Sequence, residues 1–255
     1  MKVVLFTKKD HEYENRYHLF NSVFQKKYIE YLIVTPEKHP KPKTEEFKKL
    51  RSKIEDFKPD LIVSFFYSKR IQNVLISSAR LGGVNFHPSI LPSYPGAHAL
   101  NWQLVNGERI SGVTLHELTS KIDKGKIIDR EIFQVSEYED INDIHKKAIE
   151  ASVKILSRLD RTIENNSKLI EKIDAKYKLT YPDFECRVRT ENDSLIPTEA
   201  DYFLFKNKVR ALQKPWSGAF YYNNLGKKVV LDDLKDEADY KLAFDIFKKD
   251  TTNTR

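Results

Sequence analysis

Through the first 90 residues, short apolar runs alternate with charged, amphipathic stretches, the pattern of βαβ units feeding a parallel sheet. The apolar runs predict strands at Lys2–Thr7, Tyr31–Thr35, Leu61–Phe65 and Val84–His87. The stretches between them predict helices at about Tyr17–Lys27, Thr44–Phe57 and Gln72–Ala79. Alternation over Val113-Thr114-Leu115-His116-Glu117 and the run Lys126–Val135 predict two further strands. A helical period then runs from about Ile141 to Lys172, with Ile144, Ala148, Val153, Ile155, Leu156, Leu159 and Ile163 on its apolar face. This order reads as an α/β, Rossmann-like domain with a mainly parallel central sheet over residues 1–178. From Tyr181 onward the pattern changes, with Pro182, Pro197 and the polar segment Arg187 to Ile196 opening a small second module, 179–255. Within it, Tyr221–Asn224 and Gly226–Val230 predict a hairpin around an Asn-Asn-Leu-Gly turn, and Tyr240–Phe247 a short helix.

The stretch Val84-Asn85-Phe86-His87-Pro88-Ser89-Ile90-Leu91-Pro92-Ser93-Tyr94-Pro95-Gly96-Ala97 sets an amide and an imidazole where a buried strand stops and a stiff loop starts. Residues two apart on a strand face the same side, so Asn85 and His87 can share one substrate while Phe86 packs inward. Pro88 removes a backbone donor and holds His87 extended, which places His87 at the carboxyl edge of the sheet. Pro92 and Pro95 stiffen the loop, and Gly96 permits a positive φ or a close approach of backbone. Strand carboxyl ends are where ligands bind in such sheets, and Phe65-Phe66-Tyr67 falls at another of them. Taken alone, a His-Pro at a strand end is also an ordinary turn, and Ile122-Asp123-Lys124-Gly125 is an ordinary turn signal between two strands.

The motif Asn-x-His-Pro-Ser-x-Leu-Pro, followed by Gly112-Val113-Thr114-Leu115-His116 and Ile122-Asp123-Lys124-Gly125-Lys126-Ile127-Ile128, resembles the folate-dependent formyltransferase superfamily from roughly Pro59 to Val135. That superfamily includes methionyl-tRNA formyltransferase, glycinamide ribonucleotide transformylase and the nucleotide-sugar N-formyltransferases. The resemblance implies 10-formyltetrahydrofolate as formyl donor, a primary amine as acceptor, no metal, and Asn85, His87 and Asp123 as the catalytic residues. It implies a folate site at Phe65, Phe66, Tyr67, Ser89, Ile90, Leu91 and Pro92, and an acceptor site at Tyr94, Gly96 and His98. Chemically, amine attack on a formyl carbon creates a negative oxygen and a positive nitrogen. Asn85 has N–H groups for the first. His87 can take a proton from the second or, once protonated, donate to the oxygen, and the sequence leaves both roles open. Asp123 then orients His87. His11, His18, His116 and His145 read as packed or solvated.

Composition narrows this picture. With 255 residues, 40% hydrophobic and 32% charged, the chain holds one full core and a smaller appendage. No run approaches the roughly 18 apolar residues of a membrane span, and the apolar start is too short for a secretory signal, so a cytoplasmic location is expected. A single cysteine, Cys186, allows no internal disulfide and no thiolate metal cluster. The net charge of +7 comes from lysines scattered among acidic residues, an arrangement that does not point to nucleic acid and favours an anionic small molecule. The first strand-loop, Phe6-Thr7-Lys8-Lys9-Asp10-His11, has no glycine to cradle a phosphate, which counts against glycinamide ribonucleotide as acceptor. The segment Val209-Arg210-Ala211-Leu212-Gln213-Lys214-Pro215-Trp216-Ser217-Gly218-Ala219-Phe220 resembles one in the tRNA and sugar enzymes. Only about 40 residues follow Trp216, short of the tail that helps methionyl-tRNA formyltransferases hold tRNA. Together these features imply a nucleotide-sugar N-formyltransferase acting on a dTDP- or GDP-linked amino-dideoxy sugar, with homodimerisation through the hairpin. The alternatives are a shortened methionyl-tRNA formyltransferase, glycinamide ribonucleotide transformylase, or a catalytically inactive nucleotide-binding relative.

Overall fold

Six strands form the central sheet in the order β2-β1-β3-β4-β5-β6. They are β1 (Lys2–Thr7), β2 (Glu30–Val34), β3 (Leu61–Phe65), β4 (Gly83–His87), β5 (Ile110–Glu117) and β6 (Ile127–Gln134). The first four run parallel, β5 pairs antiparallel with β4, and β6 pairs antiparallel with β5 and so runs in the direction of the first four. The computed structural model describes residues 1–8, 29–165 and 179–252, without the side chains of 159–165. The predicted helix Tyr17–Lys27, most of the first strand-loop, His11 and His18 lie outside the described residues.

The apolar runs of the parallel strands follow from burial on both faces. Val3, Leu5, Val63, Phe65, Val84 and Phe86 enter one core, whereas Val4, Phe6 and Ile62 enter the core on the opposite face. The second core is closed by α1 (Glu45–Phe57), whose first turn is capped by Thr44 Oγ1 accepting from the Phe47 N–H at 3.2 Å. Next comes α2 (Asn73–Ile76), shorter than the Gln72–Ala79 predicted. There the chain peels away because the Arg80 and Leu81 N–H groups bond the carbonyls of Pro59 and Asp60, which guides it into β4. A helix that the periodicity did not predict, α3 (Ala99–Val105), follows the active-site loop. Its residues from Ala99 to Leu104 are all buried, so it has no polar face to reveal a period.

Like α3, α4 (Ile141–Asn165) packs into the first core, to which it presents Ile144, Ala148, Ile155 and Leu156. Positions 166–172 of the predicted helix lie outside the described residues. The carboxyl-terminal segment supplies α5 (Tyr202–Ala211), the hairpin β7 (Ala219–Tyr222) with β8 (Lys228–Leu231), and α6 (Glu237–Thr252). The hairpin turn is wider than predicted, because Asn223 Oδ1 accepts from the N–H groups of both Leu225 and Lys227. The last helix starts earlier than Tyr240, with Asp236 Oδ1 capping Asp239 N–H at 3.0 Å. No helix of the described residues is long and apolar enough to cross a membrane.

Phe205, Val209, Tyr221 and Phe247 of this segment join the same buried cluster as the sheet. Arg210 pins the joint. It is 1% exposed, and its Nη1 donates to the carbonyls of Ser136 and Glu139 at 2.9 and 3.1 Å, at the entry to α4. Burial pushes this guanidinium down to about 10. Replacing Arg210 by Ala strands those carbonyls and opens a void, so urea unfolding is expected to show a loss of about 2 to 4 kcal/mol. Arg210→Met, which fills the space without a charge, is expected to lose roughly half as much. Equal losses would show that the hydrogen bonds and not the volume dominate.

Candidate active site

Asn85 and His87 stand on β4 at its carboxyl end, and the register with β5 sets Asn85 opposite His116 and His87 opposite Thr114. Asp123 enters from the turn between β5 and β6, with a left-handed backbone of φ 50. That turn folds back so closely that a Cβ on Gly125 would lie 1.8 Å from the Glu117 carbonyl oxygen, so only glycine fits there. The three predicted catalytic residues therefore meet. Asn85 Nδ2 donates to Asp123 Oδ1 at 3.3 Å, and His87 Nδ1 lies 3.4 Å from Asp123 Oδ2. A fourth group joins them, since His116 Nε2 lies 3.0 Å from Asn85 Nδ2 and 3.4 Å from Asp123 Oδ1.

Hydrogen-bond partners settle where the imidazole protons reside. His87 Nε2 is 2.8 Å from the Tyr94 carbonyl oxygen, which only accepts, so Nε2 carries a proton. Its Nδ1 faces Asp123 at a distance longer than a charge-assisted bond, about 2.7 to 2.9 Å, requires. With burial disfavouring the charged form, the arrangement suits a neutral imidazole whose Nδ1 lone pair lies beside Asp123. Burial pushes the His87 imidazole below its ordinary value, against the opposing pull of Asp123 and the Tyr94 carbonyl. His116 Nδ1 bonds the Glu117 carbonyl at 2.8 Å, and its Nε2 lies 3.0 Å from Asn85 Nδ2, which fixes the amide's orientation. Burial works to raise the Asp123 carboxyl, but the neighbouring imidazoles of His116 and His87 and the Gly96 N–H, at 2.8 Å, hold it below the ordinary carboxylate value.

The loop from 88 to 98 is braced at every turn. Thr114 Oγ1 donates to the Ser89 carbonyl at 2.7 Å and accepts from Leu91 N–H, while Ser89 Oγ donates to the Ser93 carbonyl. Gln103 holds the Pro88 carbonyl and Arg130 that of Leu91. Ser89 and Leu91 are consequently buried, and Ile90 and Pro92 are the members of the predicted folate stretch left with exposed surface. Phe65 is packed in the core against Phe86, whereas Phe66 and Tyr67 are half-buried beyond the end of β3. Tyr67 is held by His39, whose Nε2–H reaches Gln72 Oε1 so that Nδ1 accepts from the phenol at 2.7 Å.

Of the predicted acceptor residues, Tyr94 is 0% exposed, so its side chain is turned into the protein and only its carbonyl reaches the site. Gly96 runs beside Cys186, with φ 100, and a Cβ there would lie 2.2 Å from the Cys186 carbonyl oxygen. His98 is half-buried at the far end of the loop, where it meets Trp216 edge-on at 5.3 Å and accepts from Arg189 N–H. His39, His116 and Arg189 are neighbours the sequence did not reveal. His116 was the readable one, because its spacing from Thr114 puts it on a shared face.

Residues 3–159, which include the Asn-x-His strand end and the Asp123 turn, match the model of the formyl transferase family. The chain is a member of that family. Among curated relatives, the bifunctional polymyxin resistance protein ArnA of Wigglesworthia glossinidia brevipalpis is 38% identical over 176 residues, 68% of this chain but 26% of that relative. A sugar N-formyltransferase from Shewanella sp. FDAARGOS_354 superposes with a TM-score of 0.70 at 15% identity, over 92% of this chain and 98% of that one. HypX from Aquifex aeolicus, in complex with tetrahydrofolic acid, gives 0.67 at 20% identity over 91% of this chain and 37% of its own. At such identities the two structures show a shared fold.

The pH response of this protein follows from its buried groups. A histidine whose folded value lies below 6.5 takes up its proton first in the unfolded chain. Stability conferred by a neutral His87 is therefore complete above about pH 6.5 and falls as pH drops toward the folded value. Asp123 adds a further loss below 3.8, ending as pH passes its lowered folded value. Urea midpoints at about pH 7.5 and about pH 5 are expected to differ less in His87→Asn than in the unaltered protein. Equal differences in the two proteins would show that burial does not suppress protonation of His87.

Proposed function

We propose that the protein transfers a formyl group from 10-formyltetrahydrofolate to the amino group of a nucleotide-linked amino sugar, with Asn85, His87 and Asp123 as catalytic residues. The observation that carries this reading is the convergence of an amide donor and a neutral imidazole on one buried carboxylate at the sheet's carboxyl edge. In the reaction, the amine nitrogen bonds to the formyl carbon and the carbonyl electron pair moves to oxygen. Asn85 Nδ2 donates to that oxygen, exchanging its 3.3 Å bond to Asp123 for a shorter one while His116 keeps the amide in place. One such preorganised donor is worth about 3 to 4 kcal/mol. His87 Nδ1 takes the proton of the attacking nitrogen, and Asp123 stabilises the imidazolium so formed. His87 returns that proton to the departing N10 of the folate as its bond to carbon breaks, leaving an N-formyl sugar and tetrahydrofolate.

Phe66 and Tyr67 beyond the end of β3 and Ile90 in the loop after β4, all partly exposed, suit the faces of a flat ring and are assigned to the pterin. The sugar N-formyltransferase among the fold relatives, the ArnA match and the positive net charge of +7 support an anionic sugar nucleotide as acceptor. The nucleotide that carries the sugar is dTDP or GDP. Incubation with the folate donor and a panel of dTDP- and GDP-linked amino sugars is expected to give one N-formylated product by mass spectrometry. Turnover in His87→Asn is expected to fall by about 10²- to 10⁴-fold with donor binding retained. Formylation of none of the panel would overturn the acceptor assignment, and an unchanged rate in the variant would overturn the role of His87. The same reading pairs two copies through β7 and β8, where Tyr222 and Val230 are 50% and 44% exposed. Sedimentation is expected to give twice the chain mass, and a monomer at all concentrations would refute the pairing.

A further inference from the structure

Glu108 is 1% exposed and touches none of the catalytic side chains, yet three donors converge on its carboxyl group. Tyr94 Oη donates to Oε1 at 2.7 Å, Tyr181 N–H to the same oxygen at 2.9 Å, and Thr180 N–H to Oε2 at 2.8 Å. Asn106 Nδ2 donates to the Tyr94 hydroxyl at 3.0 Å. The Tyr94 ring stacks on Phe184, 5.1 Å between centroids, and its main-chain N–H bonds the Phe184 carbonyl. All this fastens a tyrosine whose backbone is left-handed, φ 56, a conformation that a side chain with a Cβ leaves readily when nothing restrains it. The one polar group that Tyr94 turns toward the active site is its carbonyl oxygen, which accepts from His87 Nε2–H at 2.8 Å.

We infer that Glu108 and Tyr94 are positioning residues: by anchoring the phenol, Glu108 keeps Tyr94 left-handed, and the Tyr94 carbonyl in turn keeps the His87 proton on Nε2 and the lone pair on Nδ1. The inference deepens the proposed function, because it rests on Nδ1 being the atom that takes the amine's proton. Without the anchor the loop relaxes, the carbonyl swings from Nε2, and His87 divides between two tautomers of which one is unreactive. The side chain supplies no chemistry of its own. It acts at a distance of one residue, through its peptide group.

Tyr94→Phe removes the hydroxyl and keeps the ring on Phe184, and Glu108→Gln, which retains both anchors' volume, is the second variant should the first not fold. In the substrate-free protein, nitrogen-15 NMR of the His87 ring is expected to report one tautomer, protonated on Nε2, and a mixture in either variant. With substrates, kcat is expected to fall about ten-fold while KM for donor and acceptor stays within about two-fold. The limb of the kcat–pH profile that His87→Asn abolishes is expected to move to lower pH, since a hydrogen bond favouring the imidazolium is weakened. A single Nε2–H tautomer and an unmoved limb in the folded variants would overturn the inference, even if turnover fell. The NMR result needs no substrate, so it can fail while sugar formylation stands, and it can succeed if the acceptor proves to be another amine.

Discussion

A carboxylate removed from water has to be surrounded by hydrogen-bond donors, and Asp123 is where this chain meets that demand. Its side chain is only 9% exposed. The groups around it come from separate parts of the sequence: the Gly96 N–H from the loop after β4 and the Asn85 amide from β4 donate to it, and the imidazoles of His87 on β4 and His116 on β5 each lie 3.4 Å from it. Burying one charge thus gathers three elements around one point, and removal of a partner would leave the carboxylate uncompensated. The reactive arrangement is built from the same contacts that make the burial tolerable.

Backbone strain is concentrated at the same place. Phe66, Tyr94, His98 and Asp123 all have φ between 49 and 58, a region that costs a residue with a Cβ roughly 1 kcal/mol or more. Such conformations persist only where the surroundings over-determine them. Here the surroundings are a double-sided core beneath the sheet and a mesh of hydroxyl and amide bonds through Ser89, Thr114 and Gln103. The rigid loop fixes main-chain groups, the Tyr94 carbonyl and the Gly96 N–H, as firmly as it fixes side chains.

Much of this was legible before any coordinates. The parallel strands announce themselves because burial on both faces demands unbroken apolar runs, and the two-residue spacing of Asn85 and His87 states that they share a side. Asp123 was identified by resemblance, since a turn with Asp and Gly says nothing of burial. His116, expected to be packed or solvated, is packed: its strand alternates like one with a wet face, yet β5 is buried along all but its last residue. α3 was invisible because a helix buried all round has no period. Glu108 carried no local signal at all: its backbone donors lie 72 and 73 residues further on, and an acidic side chain is ordinarily exposed.

The strip of chain from 180 to 186 lies beyond the segment that the family match covers, residues 3–159. Yet it supplies the Thr180 and Tyr181 N–H groups, the Phe184 carbonyl and the Cys186 backbone that clamp the loop around Tyr94 and Gly96. A fragment cut to the recognisable segment would contain every side chain of the reactive cluster and lack the frame that aims them. In this protein the smallest competent unit is set by main-chain bracing supplied from outside the motif.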